Sequence, residues 1–308
     1  MSLDGLLVVD KPVGPTSHDV VARLRRVLGE RRIGHTGTLD PLASGVLLLV
    51  VGRATRLAQF LNTDAKRYEA TIRLGFATDT YDATGRPTTA VYAGVMPVRD
   101  RIEAALHAFR GTFLQQPPAF SAKKIDGRRS YRLARAHQQP ATPSLPAPVS
   151  VTVAHLDLVD VHGDLVRIVI ECSSGFYVRS LAHDLGVALG VGAHLAALRR
   201  TAASGRTLDD AVPLGPLEGP GGADVARRAL IALPDILPEL PRLTLTADGV
   251  RRAVSGCEIG ERDLASEAGS AGSGAFPPRV RLVNDAHNLV GIADLRPSGL
   301  LHPVVVLM

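Results

Sequence analysis

Between Gly34 and Gly45 the chain reads Gly-His-Thr-Gly-Thr-Leu-Asp-Pro-Leu-Ala-Ser-Gly, placing three glycines, a histidine and a carboxylate within twelve residues. Glycine allows backbone to approach a ligand closely, so this is where chemistry could be held against the main chain. His35 and Asp40 could ligate a metal, but no third ligand stands at a recognisable spacing. No Gly-Lys-Ser or Gly-Lys-Thr closes the segment, which excludes the phosphate loop of nucleotide-binding proteins. Taken alone, Asp40-Pro41 reads as a turn, where Asp before Pro is common. A second concentration is basic: Lys123, Lys124, Arg128, Arg129, Arg132 and Arg135 follow Phe120 and interleave with Tyr131. Such a run suits phosphate contacts, although a solvated helix face is its usual explanation.

These residues need elements to hold them. The apolar run Leu6–Val9 ends at Asp10-Lys11-Pro12-Val13-Gly14-Pro15, which predicts a strand entering a tight loop. Ser17 offers an N-cap, and Val20, Val21, Leu24, Val27 and Leu28 recur at helical spacing up to Gly29. The Gly34–Gly45 segment reads as a loop leading into Val46–Val51, an apolar run continuous enough for a strand buried on both faces. Tyr68–Leu74 alternates as a strand, and Pro97 opens a helix running to Phe109. Strands are expected at 150–160 and 165–171, then a helix at about 179–189. Gln115–Pro148 carries six prolines and the basic run; a segment that long between core elements is more often functional or mobile than structural. Pro213–Gly222 reads as a loop before a helix at about 224–233. Beyond Pro241 the pattern is of short strands, at 280–283, 289–292 and 304–307, interrupted by the flexible Gly/Ser/Ala tract Ala265–Gly274.

The 308 residues suffice for a sizeable core, and the 45% hydrophobic content contains no apolar run long enough for a bilayer. The opening Met1-Ser2-Leu3-Asp4-Gly5 lacks the basic flank of a signal peptide, so the expected location is the cytoplasm. Cys172 and Cys257 stand far apart, which argues for buried free thiols and against a disulfide framework or zinc site. The net charge of +5 divides into +9 over residues 1–136 and −4 over the rest, an asymmetry that suits a polyanion bound by the first half. Only four of the 35 basic residues are lysine, and eleven of the twelve aromatics precede residue 180. Chemistry needing rings and ammonium groups is therefore expected in the first 200 or so residues.

The Gly34–Gly45 segment resembles the catalytic motif of the TruB family, the bacterial tRNA pseudouridine-55 synthases, whose signature is Gly-His-Thr-Gly followed by Leu-Asp-Pro-Leu-Ala. The resemblance extends to Gly5–Gly14, Lys66-Arg67-Tyr68, Pro117–Tyr131, Ser174-Gly175-Phe176-Tyr177-Val178-Arg179, and Gly192-Ala193-His194 through Leu198-Arg199-Arg200, about residues 5–205 in all. It implies an isomerase that turns uridine-55 of the tRNA T loop into pseudouridine, by flipping the base out, cleaving its glycosidic bond and reattaching it through C5. The implied fold is α+β, the pseudouridine synthase fold, with a mixed, largely antiparallel central sheet flanked by helices and a small C-terminal β domain of PUA-like type. The implied domains are a catalytic unit at 1–235, with an RNA-binding insertion at about 115–148, and the β domain at 240–308.

By the same resemblance Asp40 is the nucleophile, a task a carboxylate suits because it can form a covalent intermediate and leave again. An aspartate kept ionised in a water-poor pocket needs a cation beside it, and the resemblance gives that role to Arg179. Tyr68 would lie against the uracil as a stacking surface and candidate proton acceptor, with Tyr177 and Leu198 lining the pocket. His35 would fill the space the flipped base leaves, and Lys11 would support the active-site loop from the N-terminal turn. Lys123, Lys124 and Arg129 would contact RNA phosphates. No cofactor, metal, membrane or guide RNA is implied; the partner is the T arm of tRNA, and nothing calls for more than a monomer. Two other readings use the same residues: a protein that binds and refolds tRNA while its carboxylate is incidental, and a synthase subunit directed by guide RNA.

Overall fold

The computed structural model describes residues 3–61, 65–119, 146–265 and 276–308, together with the backbone of 124, 125, 128 and 129. In chain order the elements of the first half are β1 (Gly5–Lys11), α1 (Ser17–Leu28), β2 (Ile33–Thr36), β3 (Ala43–Val51), β4 (Lys66–Leu74), α2 (Arg99–Leu106), β5 (Gly111–Gln115) and the short pair β6 (Lys124–Ile125) and β7 (Arg128–Arg129). Then come β8 (Val149–His162), β9 (Leu165–Cys172), α3 (Val178–Leu189), β10 (Ala193–Ala203), β11 (Arg206–Thr207), β12 (Val212–Pro213), α4 (Leu214–Glu218) and α5 (Gly222–Ala229). The chain ends with β13 (Arg242–Thr244), α6 (Ala247–Val254), β14 (Arg279–Val283), β15 (Leu289–Leu295) and β16 (Leu301–Val306).

Among the described residues, a ten-stranded sheet runs β12-β1-β3-β10-β4-β9-β8-β5, with β2 added to β3 and β11 to β10. Two pairings, β1 with β12 and β3 with β10, are parallel and the others antiparallel. This is the expected mixed, largely antiparallel sheet. Strand alternation sends Leu7, Val9, Leu47, Leu49 and Ile72 to one face, where they pack with Val20 and Leu24 of α1, Leu106 of α2 and Leu181 and Leu185 of α3. The other face of β1 and β3 presents Leu6, Val8, Val46, Leu48 and Val50 to Val283, Leu289, Ile292, Val305 and Leu307 of the four-stranded C-terminal sheet. That double burial explains why β3 reads as an uninterrupted apolar run. On β4 the outward residues Arg67, Glu69 and Arg73 are exposed, so this part of the sheet is covered on the helical face alone.

Several sequence expectations change in detail. Thr16, not Ser17, caps α1, in a capping box with Asp19; Ser17 is already helical and its hydroxyl serves the active loop instead. His35 lies in strand β2, which shortens the expected loop, and β3 begins at Ala43. Pro213–Gly222 holds the helix α4, because Pro216 falls in its first turn, where proline is tolerated. The strand β10 and the helix α6 had no counterpart in the sequence reading. Cys172 is buried as expected, whereas Cys257 is exposed. The tract 266–275 and most of the basic insertion fall outside the described residues.

Candidate active site

The loop 37–42, which carries Asp40, sits in a notch at the centre of the sheet. On one edge of β10, strand β3 pairs with Leu198–Arg200, while nearer the start of β10 it is Asp82 that pairs with Leu195. Asp40 precedes β3 by three residues, so Asp40 and Asp82 arrive from the two segments that share this edge. The neighbours of Asp40 are pinned from α1 and the loop before it. Ser17, the buried first residue of α1, donates its hydroxyl to Leu39 O (3.1 Å) and accepts from Leu39 N (2.9 Å). Gly14 N donates to Pro41 O (2.8 Å), and Lys11 closes its own loop by donating from Nζ to Pro12 O (2.8 Å) and Pro15 O (2.9 Å). With both flanks fixed, the carboxylate has little freedom to leave its position.

Register brings the charged groups together. Lys11 stands opposite Gly45, Gly45 opposite Arg200, and Arg200 opposite Tyr68, so one cross-sheet row on the helical face carries Lys11, Arg200 and Tyr68. Gly45 is the gap in that row: it adopts φ +102°, and a Cβ there would stand 2.1 Å from Arg200 O. Arg200 is 1% exposed and donates to Val46 O (2.7 Å) and Gly37 O (2.9 Å), tying the loop to β10. Leu198, two residues earlier on the same face, lies between Ala43 and Ala70.

Arg179 enters from the first turn of α3. Its Nε lies 2.9 Å from Asp40 Oδ2, with the arginine side chain 7% exposed and the aspartate 41% exposed. The cation is therefore buried while the carboxylate keeps an open side toward solvent. Nη1 of Arg179 donates to Thr80 O (3.0 Å) and stands 3.7 Å from Asp82 Oδ2. Asp82 is itself buried, with Oδ1 accepting from Thr80 Oγ1 (2.8 Å), Thr84 N (2.9 Å) and Thr84 Oγ1 (2.6 Å). Sequence reasoning missed Asp82; its signal was the density of Thr, Asp and Gly in Thr78–Gly85, the composition of a self-bonded turn. The start of α3 is fixed by Gln115, which accepts from Tyr177 N (2.8 Å) and donates to Tyr177 O (3.0 Å), and by Ser180 Oγ on Gln116 O (2.8 Å).

Burial sets the protonation of two groups in the row. It lowers Lys11 from 10.5 to about 8, against the pull of Asp40 and with the help of Arg200. It pushes the Tyr68 phenol up, an effect opposed by Arg200, which is hydrogen-bonded to it. Asp40 acts electrostatically on both, so Asp40, Arg179, Lys11, Tyr68 and Arg200 form one site. Tyr177 stands two residues before Arg179, and Leu198 also lines an open groove of about 360 Å³ with Leu42, Ala70 and Val13. His35 lies on β2, its ring edge-to-face with His18 at 5.0 Å. Lys124 and Arg129 pair with each other in the β6–β7 hairpin, where only backbone is described, and Lys123 lies outside the described residues. Among the described residues no three His, Cys, Asp or Glu side chains converge as a metal site, and no helix is long and apolar enough to cross a membrane.

The fold is that of the pseudouridine synthases. A chain of an H/ACA RNP solved with a substrate RNA containing 2′-deoxyuridine superposes over 99% of this chain and 85% of its own, with a TM-score of 0.71 at 23% identity. Within that class the chain belongs to the TruB family of pseudouridylate synthases: the family's N-terminal domain matches residues 25–178, and the tRNA pseudouridylate synthase B C-terminal domain matches residues 179–219. A Solibacter usitatus protein named tRNA pseudouridine synthase B is 41% identical over 305 residues, 99% of this chain and 100% of that one. A protein of the same name from Mycobacterium avium is 44% identical over 279 residues, 89% of this chain and 81% of its own.

Proposed function

We propose that this isomerase acts on tRNA, converting uridine-55 of the T loop to pseudouridine with Asp40 as nucleophile. The observation that carries the reading is the Asp40–Arg179 pair: a buried cation at 2.9 Å holds an anion whose other side is open. Relatives of 41% and 44% identity carry the name tRNA pseudouridine synthase B, which supports tRNA as substrate.

In the reaction the C1′–N1 bond breaks, the base turns, and a C1′–C5 bond forms; C5 loses a proton and N1 gains one, so composition is unchanged. Asp40 answers the electron deficiency at the sugar or the base, and Arg179 holds the carboxylate through the ion pair while water is excluded. Extruding the uridine costs on the order of a few kcal/mol, and stacking on Tyr68 returns roughly 1–3 kcal/mol of it. A phenol kept neutral by burial suits stacking; to take the C5 proton it would first have to lose its own, and Arg200 beside it would stabilise the phenolate, which then returns to the neutral phenol. Tyr177 and Leu198 close the pocket, His35 fills the place of the flipped base, Lys11 braces the loop, and Lys123, Lys124 and Arg129 meet phosphates. Residues 1–235 form the catalytic unit and 240–308 an appended β unit, working as a monomer without cofactor or guide RNA.

The test is tritium release from a T-arm hairpin labelled at uracil C5, with wild type and Asp40→Asn side by side. Release by the wild type alone is expected, with RNA binding retained by both. Turnover by Asp40→Asn near the wild-type rate would remove Asp40 from its role; binding without release by either protein would favour a tRNA-folding function.

A further inference from the structure

We propose that Tyr81 is a positioning residue for Arg179, acting through a ring stack on His183. Tyr81 is one of three described non-glycine residues with positive φ, at +64°, a conformation that disfavours a side chain bearing Cβ. A strained residue beside an active centre is held there by its surroundings, and here the surroundings are visible. Tyr81 O accepts from Leu195 N (2.9 Å) and Ala83 N donates to Leu195 O (2.9 Å), which anchors the turn to β10. The phenol ring lies face to face on His183, with centroids 3.9 Å apart and planes at 11°.

The consequence is geometric. Thr80 and Asp82 flank Tyr81, and the left-handed turn between them lets Thr80 O and the Asp82 carboxylate converge on the same guanidinium nitrogen. His183 follows Arg179 by four residues on α3, so it lies on the same helix face one turn away. The stack thus joins the turn carrying Arg179's acceptors to the helix carrying Arg179. Burial raises the Tyr81 phenol and lowers the His183 imidazole, which leaves both rings uncharged near neutral pH. Among the described residues, His183 Nδ1 is buried without a hydrogen-bond partner.

This inference rests on the reading of Asp40 as the reactive carboxylate, and its experiment separates the two. Single-turnover tritium release, RNA affinity and Tm are measured for wild type, Asp40→Asn, Tyr81→Gly, Tyr81→Phe and His183→Ala. Tyr81→Gly deletes the ring while relieving the backbone, so fold and affinity should hold while the rate falls by about 10²-fold, the scale of a misplaced catalytic group. Tyr81→Phe should restore the rate, and adding His183→Ala to Tyr81→Gly should cause no further loss. A wild-type rate in Tyr81→Gly, a slow Tyr81→Phe, or affinity lost in step with rate overturns the proposal. Should Tyr81→Gly not fold, His183→Ala decides it from the helix side, a wild-type rate there being fatal. A silent wild type would sink the Asp40 reading and this inference with it, whereas an active wild type beside an equally active Tyr81→Gly sinks this inference alone.

Discussion

Lys11 is fully buried and carries a charge the interior penalises, yet it stands where Asp40 attracts it. Its folded pKa of about 8 lies below the ordinary 10.5, so the unfolded state binds more protons between those values. Stability contributed by this group is therefore lowest below pH 8 and rises as pH climbs from about 8 toward 10.5. Activity should move the other way, because loss of the ammonium charge removes a cation that attracts the Asp40 carboxylate and helps to hold the loop in place. We expect the single-turnover rate to decline above about pH 8 while Lys11 itself favours folding more. In Lys11→Arg the falling limb should move beyond about pH 10, because a guanidinium stays charged far above the range in which an ammonium titrates. A limb that stays near pH 8 in that variant would assign it to another group.

At the scale of elements, the site depends on how closely β3 and β10 approach. The two strands touch at Gly45 and Arg200 with no room for a methyl group, and Gly45 also holds a φ that side chains resist. Gly45→Ala must therefore separate the strands or twist the loop, either of which moves Arg200 off Gly37 O. The expected cost is about 2–4 kcal/mol, since a clash and a strained φ are among the mechanisms that produce large effects. Calorimetry with the release assay checks it, and a Tm unchanged from wild type would show that the sheet absorbs the methyl group. By contrast, α3 is set by side-chain clamps on backbone: Gln115 and Ser180 bind across from β5 to the turn that bears Arg179.

For the whole molecule, the C-terminal sheet is a structural part of the synthase core as well as an appended unit. Five apolar residues of β1 and β3 pack under it, and burying each is worth about 1.5–3 kcal/mol. Their sum is comparable to the net stability of a typical domain, roughly 5–15 kcal/mol. A chain ending at Pro241 should consequently aggregate or melt far below wild type, and the intact protein should unfold in one calorimetric transition. A monodisperse truncated chain with the wild-type Tm would show that the two sheets are independent.

By itself the sequence determined the local elements and singled out the candidate loop around Asp40. The apolar runs of β1 and β3, the amphipathic face of α1, the C-terminal strands, and the order of residues around Asp40 are all short-range signals. Periodicity records which face of a segment is apolar, and turn residues record where it stops. What tertiary structure decided is which segments become neighbours. Arg200 reads as a surface residue until Val46 O and Gly37 O, 154 and 163 positions away in the chain, satisfy it inside the sheet. For that reason β10, with two adjacent arginines, did not read as a central strand. Asp82 shows the same limit: its turn is legible, but its place beside Arg179 exists only once Leu195 of β10 has drawn that turn into the notch where β3 begins. Polar residues are buried when distant partners pay their desolvation, and no local pattern encodes a partner that lies beyond the reach of its own helix or strand.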